Sequence, residues 1–379
     1  MDRAATARTV TPGQGGGGGT AQSAGEGTAQ GRARVPLFAR LTRHGLLASG
    51  WGRAAGLLVA LGLLAAATFA SVVVGLFDVG VGDVLAAASG QPANDVERVV
   101  RHVRIPRTVA GLLAGCALGT AGALMQGLTR NPIASPGLLG INAGAAFAVV
   151  MAMVVLGISA ASDFVWFAFL GAAVAAVFVY VLGSVRFGGA TPVKLALAGA
   201  AFSAFVGSIT TGITLLDHAL LGDFRFWAVG SLTRATGADL AAVAPFIGTG
   251  LLLALATTRT LNVLALGDDL ARTLGTRLWR ARTVGALAVV LLAGGAVAIA
   301  GPVGFVGLVV PHVARMITGP DYRWVMAWTL VLAPTLVLAA DLVGRTLVHP
   351  QQLQVGIVTA FVGAPFFLVL IRYRKVVGV

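Results

Sequence analysis

Side chains able to do chemistry are few in this 379-residue chain, and they are scattered. Cys116 is the sole cysteine, so no disulfide and no cysteine-based metal cluster can form within the chain. Set between Gly115 and Ala117 in an apolar run, it reads as a small packing residue. His312 follows Pro311 and has no second histidine or carboxylate at metal-ligand spacing, so no resident metal is expected. The two lysines, Lys194 and Lys375, lie outside any GxxxxGK[ST] pattern, and any ATP chemistry must belong to another subunit. An ion-coupled transporter needs ionisable residues in mid-helix, and the chain offers essentially only Asp341, near a helix end. An intramembrane enzyme needs a polar cluster at one depth, and His312 has no such companions.

The elements that must hold these residues are membrane helices. Only 11% of residues are charged and 57% are hydrophobic, whereas a soluble domain carries roughly a quarter charged residues. The runs 57–77, 108–129, 164–185, 195–216, 240–258 and 353–371 contain no Asp, Glu, Lys or Arg. Each approaches the ~20 residues that cross ~30 Å of hydrocarbon. Two longer uncharged runs, 131–162 and 283–312, must contain breaks. The pattern predicts an all-α polytopic membrane protein of about ten helices, at 55–77, 107–129, 138–158, 164–185, 194–216, 238–258, 283–301, 304–318, 324–344 and 354–373.

Charge orients the chain. With the N-terminus inside, 20 of the 27 Lys/Arg fall on cytoplasmic segments, and most acids fall outside or near the outer ends. Both termini are then cytoplasmic. The net charge of +13 therefore reflects topology, since a nucleic-acid surface would be one continuous basic patch. Residues 1–50, with Gly15–Gly19 among Ala, Thr, Gln and Ser, read as a disordered cytoplasmic tail, and 51–379 as the membrane domain. The charged lead-in is too long, and the following apolar run too long, for a signal peptide.

Several motifs interrupt the apolar helices. Gly111, Gly115 and Gly119, followed by Gly122, have the small-xxx-small spacing that lets helices approach closely. Asn131-Pro-Ile-Ala-Ser-Pro-Gly and Gly301-Pro-Val-Gly break helices in both halves, either as plain turns or as the flanks of a translocation route. Arg107-Thr-Val-Ala-Gly and Arg282-Thr-Val-Gly-Ala open two predicted helices of opposite direction, as an inverted repeat (helices 2–5 and 7–10) would. Arg104, Arg107 and Arg345 sit on the side otherwise poor in arginine, where they could dock an acidic partner or snorkel at helix ends. Leu266, Leu270 and Leu274 recur at i, i+4, i+8 in the charged segment 264–282, giving an amphipathic element for a membrane surface or a cytoplasmic partner. Phe224, Phe226 and Trp227 suit a short helix at the outer interface.

These blocks together resemble the FecCD permease family, which imports ferric siderophores, haem and vitamin B12. The resemblance rests on Arg104-Ile-Pro-Arg107, Gly122-Ala-Leu-Met-Gln126 with Asn131–Gly140, Phe226–Leu232, Leu264–Gly275, Gly304–Arg315, Ala340–Arg345 and Gly363–Phe367, in family order. It implies a pore of two permease copies or a copy and a paralogue. Two cytoplasmic ATPase subunits, which would hold ATP and Mg, and an extracytoplasmic binding protein would complete an importer in the bacterial inner membrane. By motif position, Arg104, Arg107 and Arg345 would meet the binding protein's acids. Leu264, Leu266, Gly267, Asp268, Asp269, Ala271, Leu274 and Gly275 would form the ATPase coupling segment. Asn131, Pro132 and Ile133 would form a cytoplasmic gate, and Ser208, Thr210 and Thr211 are candidate lining residues. Ferric siderophore is the expected cargo, with haem or cobalamin as the alternative. The chain departs from the family at Gln352-Leu-Gln-Val-Gly356, where Glu-Leu-Pro is usual, losing an acid and a rigid turn near the outer mouth. Pro302 also stands where a small residue is usual.

Overall fold

The computed structural model describes residues 45–47, 49–75, 79–89, 94–158, 161–184, 192–216, 222, 224, 227–348 and 351–375. Residues 1–44 of the tail expected over 1–50 lie outside this set, as does Phe226 of the expected interfacial helix.

Helix starts follow from local chemistry. α1 (Gly50–Val73) is capped by Ser49, whose Oγ accepts from Gly52 N at 3.0 Å. α2 (Val81–Ser89) is a short helix that the apolar pattern did not announce. α3 (Asp95–Thr129) begins twelve residues before the apolar run at 107, because Asn94 caps it by accepting from Glu97 N at 2.8 Å. A π-helical turn at Val100–Arg104 lies inside it. α4 (Ile141–Leu156) follows a 3₁₀ turn at Pro136–Leu139. Next come α5 (Ala161–Ser184), α6 (Pro192–Leu216) and α7 (Gly237–Leu264), the last opened by a Thr236/Asp239 capping box. The short α8 (Asp268–Thr273) precedes α9 (Leu278–Ala300), α10 (Val306–Thr318), α11 (Tyr322–Leu347) and α12 (Val355–Lys375). Among the described residues, seven helices are long and apolar enough to cross a membrane. With the shorter apolar α4, α10 and α12, they make the ten expected.

The packing partners exchange between the two halves as the inverted repeat requires. α3 packs on α11 while α9 packs on α5; α4 on α5 matches α10 on α11; α5 on α6 matches α11 on α12. α3 and α9 pair with each other at the centre, with 78% and 67% of their apolar windows buried, against 11% for α1 and 17% for α6. The outer helices turn Leu58, Leu63, Leu252 and Phe361 outward, which suits lipid and not water. Close approach at the centre depends on glycine. A Cβ at Gly115 would overlap the Pro334 backbone of α11, and one at Gly122 would overlap the Gly307 carbonyl of α10.

Helix ends sort into two layers. One holds 45–53, 130–134, 262–282 and 315–323, joined by contacts such as Asn262 Nδ2 to Asp321 Oδ1 at 2.7 Å. At this end Leu46 and Leu47 donate backbone N–H groups to the Met316 and Ile317 carbonyls, both at 2.9 Å. These are last-turn carbonyls of α10, which have no partner within their own helix. The opposite layer holds 71–75, 100–107, 227–236, 300–302, 341–348 and 351–356.

Candidate transport and coupling site

At the layer containing Arg104, the structure gathers the three predicted docking arginines and buries them. Asp341, on the last turns of α11, is 1% exposed and accepts from Arg107 Nε at 3.1 Å and Arg107 Nη2 at 2.7 Å. Arg345, one turn on, donates to the same carboxylate through Nε at 2.9 Å and through Nη2. Arg345 also reaches the Ser71 carbonyl at 2.8 Å and Ser71 Oγ at 3.0 Å, tying α1 to α11. Arg104 turns to the end of α1, donating to the Val72 carbonyl at 3.0 Å and to that of Val73. Two guanidiniums on one carboxylate leave this buried group with a formal charge of +1, held by satisfied hydrogen bonds. Gln352, the residue that departs from the family pattern, accepts from Arg107 Nη1 at 2.8 Å as a neutral partner. Arg98, Arg101 and Arg234 are exposed cations of the same end.

At the other layer, α8 carries the predicted coupling segment. Leu266, Leu270 and Leu274 are half or more exposed, but only Leu270 lies on α8, so the expected single helical face is broken at Gly267, with Leu266 before the helix and Leu274 at its end. Ala271 is fully buried and anchors the opposite face, while Leu264 is buried at the end of α7. Gly267 and Gly275 flank the short helix at φ 109° and 79°, conformations open mainly to glycine. Asp269 pairs with Arg272 in the open at 3.1 Å. Asp268 accepts from Arg130 at 2.9 Å and from Arg282 at 2.7 Å.

The predicted gate turn begins beside that ion pair. Arg130 closes α3 in the left-handed conformation, φ 50°, and the Asn131 side chain accepts from Ile133 N at 3.1 Å, an Asx turn. Pro132 is half-buried in this turn and Ile133 is exposed. On α6 the three lining candidates separate. Ser208 and Thr211, three apart, share an exposed face, whereas Thr210 is buried and its hydroxyl donates to the Val206 carbonyl at 2.8 Å. A shallow apolar groove of about 570 Å³ runs along α12, lined by Ile357, Ala360, Phe361, Ala364, Pro365 and Leu368.

One buried polar network escaped the sequence reading. Gln126 donates to the Leu308 carbonyl at 3.1 Å and accepts from Arg315, which also donates to Tyr322 Oη at 3.0 Å. It ties α3, α10 and α11 near the layer that holds α8. The signal was the residue types themselves, a Gln and an Arg at the ends of apolar helices that need partners. His312 is buried with its ring edge towards Phe366, 6.0 Å between centroids, consistent with a packing role.

The arrangement is that of a transport body: a helical core, a buried cationic group at one end and a short helix with exposed leucines on and beside it at the other. The profile of the FecCD transport family matches residues 63–373, and the chain belongs to that family. The ferric enterobactin transport system permease protein FepD of Escherichia coli K12 is 45% identical over 83% of this chain and 94% of its own length. The probable siderophore transport system permease protein YfiZ of Bacillus subtilis is 40% identical over 82% and 93%. The hemin transport system permease protein HmuU of Yersinia pestis is 38% identical over 72% and 83%. Among solved structures, an inward-facing metal-chelate type ABC transporter superposes with a TM-score of 0.72 at 25% identity, covering 83% of this chain and 98% of its own. The chain is thus a multi-pass ABC permease subunit and a transport component.

Proposed function

We propose that this permease carries ferric siderophores inward across the bacterial cytoplasmic membrane, driven by ATP hydrolysis in two partner ATPase subunits that hold ATP and Mg. The observation that supports this most is the exposure of Leu266, Leu270 and Leu274 on and beside α8, an apolar surface at the arginine-rich end of the helices. That end is cytoplasmic by the positive-inside rule, as are both termini. A second copy or a paralogue completes the pore, with the Ser208/Thr211 face of α6 along it and the Asn131–Ile133 turn as its inner gate. An extracytoplasmic binding protein seats at the other end, its acids drawn to the field of the Arg104/Arg107/Arg345 group and to exposed Arg98 and Arg101.

The siderophore assignment rests on the names of the relatives, two of which carry siderophore or enterobactin and one hemin. Uptake of ⁵⁵Fe-labelled ferric siderophores, with haem and labelled cobalamin alongside, in cells lacking only this gene tests it. Selective loss of a ferric siderophore supports the proposal. Loss of haem or cobalamin uptake alone moves the cargo to that class, and unimpaired uptake of all of them overturns the iron reading.

A further inference from the structure

We propose that Asp268 is the positioning residue that ties the coupling helix to the inner gate turn, and through that turn to α6. The inference rests on the transporter reading above and adds to it a specific mechanical connection. Asp268 is the first residue of α8, and its carboxylate spans two cations on different elements. Arg130 donates to Oδ1 at 2.9 Å from the end of α3, and Arg282 donates to Oδ2 at 2.7 Å from the first turns of α9. Arg130 immediately precedes Asn131, so any displacement of Asp268 pulls on the residue that opens the gate turn.

The turn is stiff enough to pass that pull on. Arg130 is fixed in the left-handed region, the Asn131 side chain locks the turn on Ile133 N, and Pro136 starts the 3₁₀ segment that ends it. The far end of the segment is seated on α6: a Cβ at Gly199 would overlap the Leu138 carbonyl, and the Phe202 ring lies against Gly140. Backbone packed directly on backbone has no side chain between to absorb movement. The connection therefore runs from α8 through Asp268–Arg130 and the 131–139 segment to α6, the helix carrying Ser208 and Thr211. All three side chains of the ion pair are partly exposed, with the Asp268 side chain at 26%. An interaction of that kind adds little to stability, so removing it reports on transmission and leaves the fold standing.

The test uses the full importer, this chain with its ATPase subunits in liposomes, in a Cys116→Ser background with a reporter Ile133→Cys. The readout is the rate of labelling by a membrane-impermeant maleimide, compared between nucleotide-free and ATP–vanadate-trapped importer. Asp268→Asn and Arg130→Gln should each shrink the nucleotide-dependent rate ratio about fivefold, the factor carried by an interaction of roughly 1 kcal/mol. The double variant should be no worse than Asp268→Asn alone, since the bond to Arg130 is already lost there. Should Asp268→Asn fail to assemble with the ATPase, Arg130→Gln alone decides, being outside the leucine face. An unchanged ratio in an assembled single variant, or losses that multiply in the double, overturns the proposal. A parent importer whose Ile133→Cys labelling ignores nucleotide would instead refute the gate and transporter reading itself.

Discussion

Replacing Asp341 by Asn should destabilise the permease by about 3 kcal/mol, near the lower end of the cost of breaking a buried ion pair. The carboxylate is 1% exposed and takes five hydrogen bonds from two guanidiniums. With an amide there, Arg107 and Arg345 remain buried with their charges uncompensated, side by side. The cost is held down because each keeps other acceptors: Gln352 for Arg107, and Ser71 Oγ with the Ser71 and Val74 carbonyls for Arg345. A loss of about 3 kcal/mol multiplies the unfolding constant by roughly 150. Equilibrium unfolding in mixed micelles, titrated with a denaturing detergent and followed by tryptophan fluorescence, would show it as an earlier midpoint. Removing the acid and one cation together, as Asp341→Asn with Arg345→Gln, should cost at least about 1 kcal/mol less than the sum of the singles. A wild-type midpoint for Asp341→Asn, or strictly additive losses, would show that the cluster does not hold the helix ends as described.

Three further outcomes follow from the same geometry. Gln352→Glu places an acid beside Arg107 and brings the group's formal charge from +1 to neutral, so the unfolding midpoint should rise by about 1 kcal/mol; a fall would refute the charge account. Gly122→Ala should lower stability by about 1–3 kcal/mol, because the added methyl forces α3 away from the Gly307 backbone, and a wild-type melting curve would contradict that contact. Leu270→Asp with Leu274→Asp should abolish co-purification of the ATPase while the permease remains monodisperse, as those side chains are half or more exposed and touch little of the body; retained co-purification would remove α8 from the interface.

Apolar run length found every long helix, because in a bilayer the hydrocarbon thickness sets the element. It could not find the first twelve residues of α3, where Asp95, Glu97, Arg98 and Arg101 break the apolar pattern. That start was nonetheless written as Asn94 followed three residues later by Glu97, a capping arrangement that charge counting passes over. Family order brought Arg104, Arg107 and Arg345 together, and motif position put them at the outer end. Their common partner was not legible, since 234 residues separate Arg107 from Asp341 and only the packing of α3 on α11 makes them neighbours. The same holds for Asp268, whose two arginines lie on different helices. The leucine spacing around α8 was readable because it is local, whereas the break at Gly267 was not.

The short pairing of Leu46 and Leu47 with the end of α10 moves the true edge of the folded body upstream of its first helix. Gly45, at φ 72° and packed against the Thr318–Gly319 backbone, begins that edge. A chain trimmed to the first residue of α1 would therefore lose part of α10's support, baring the Met316 and Ile317 carbonyls. A fusion or affinity handle placed ahead of Gly45 spares that joint, whereas one spliced at Ser49 cuts through it.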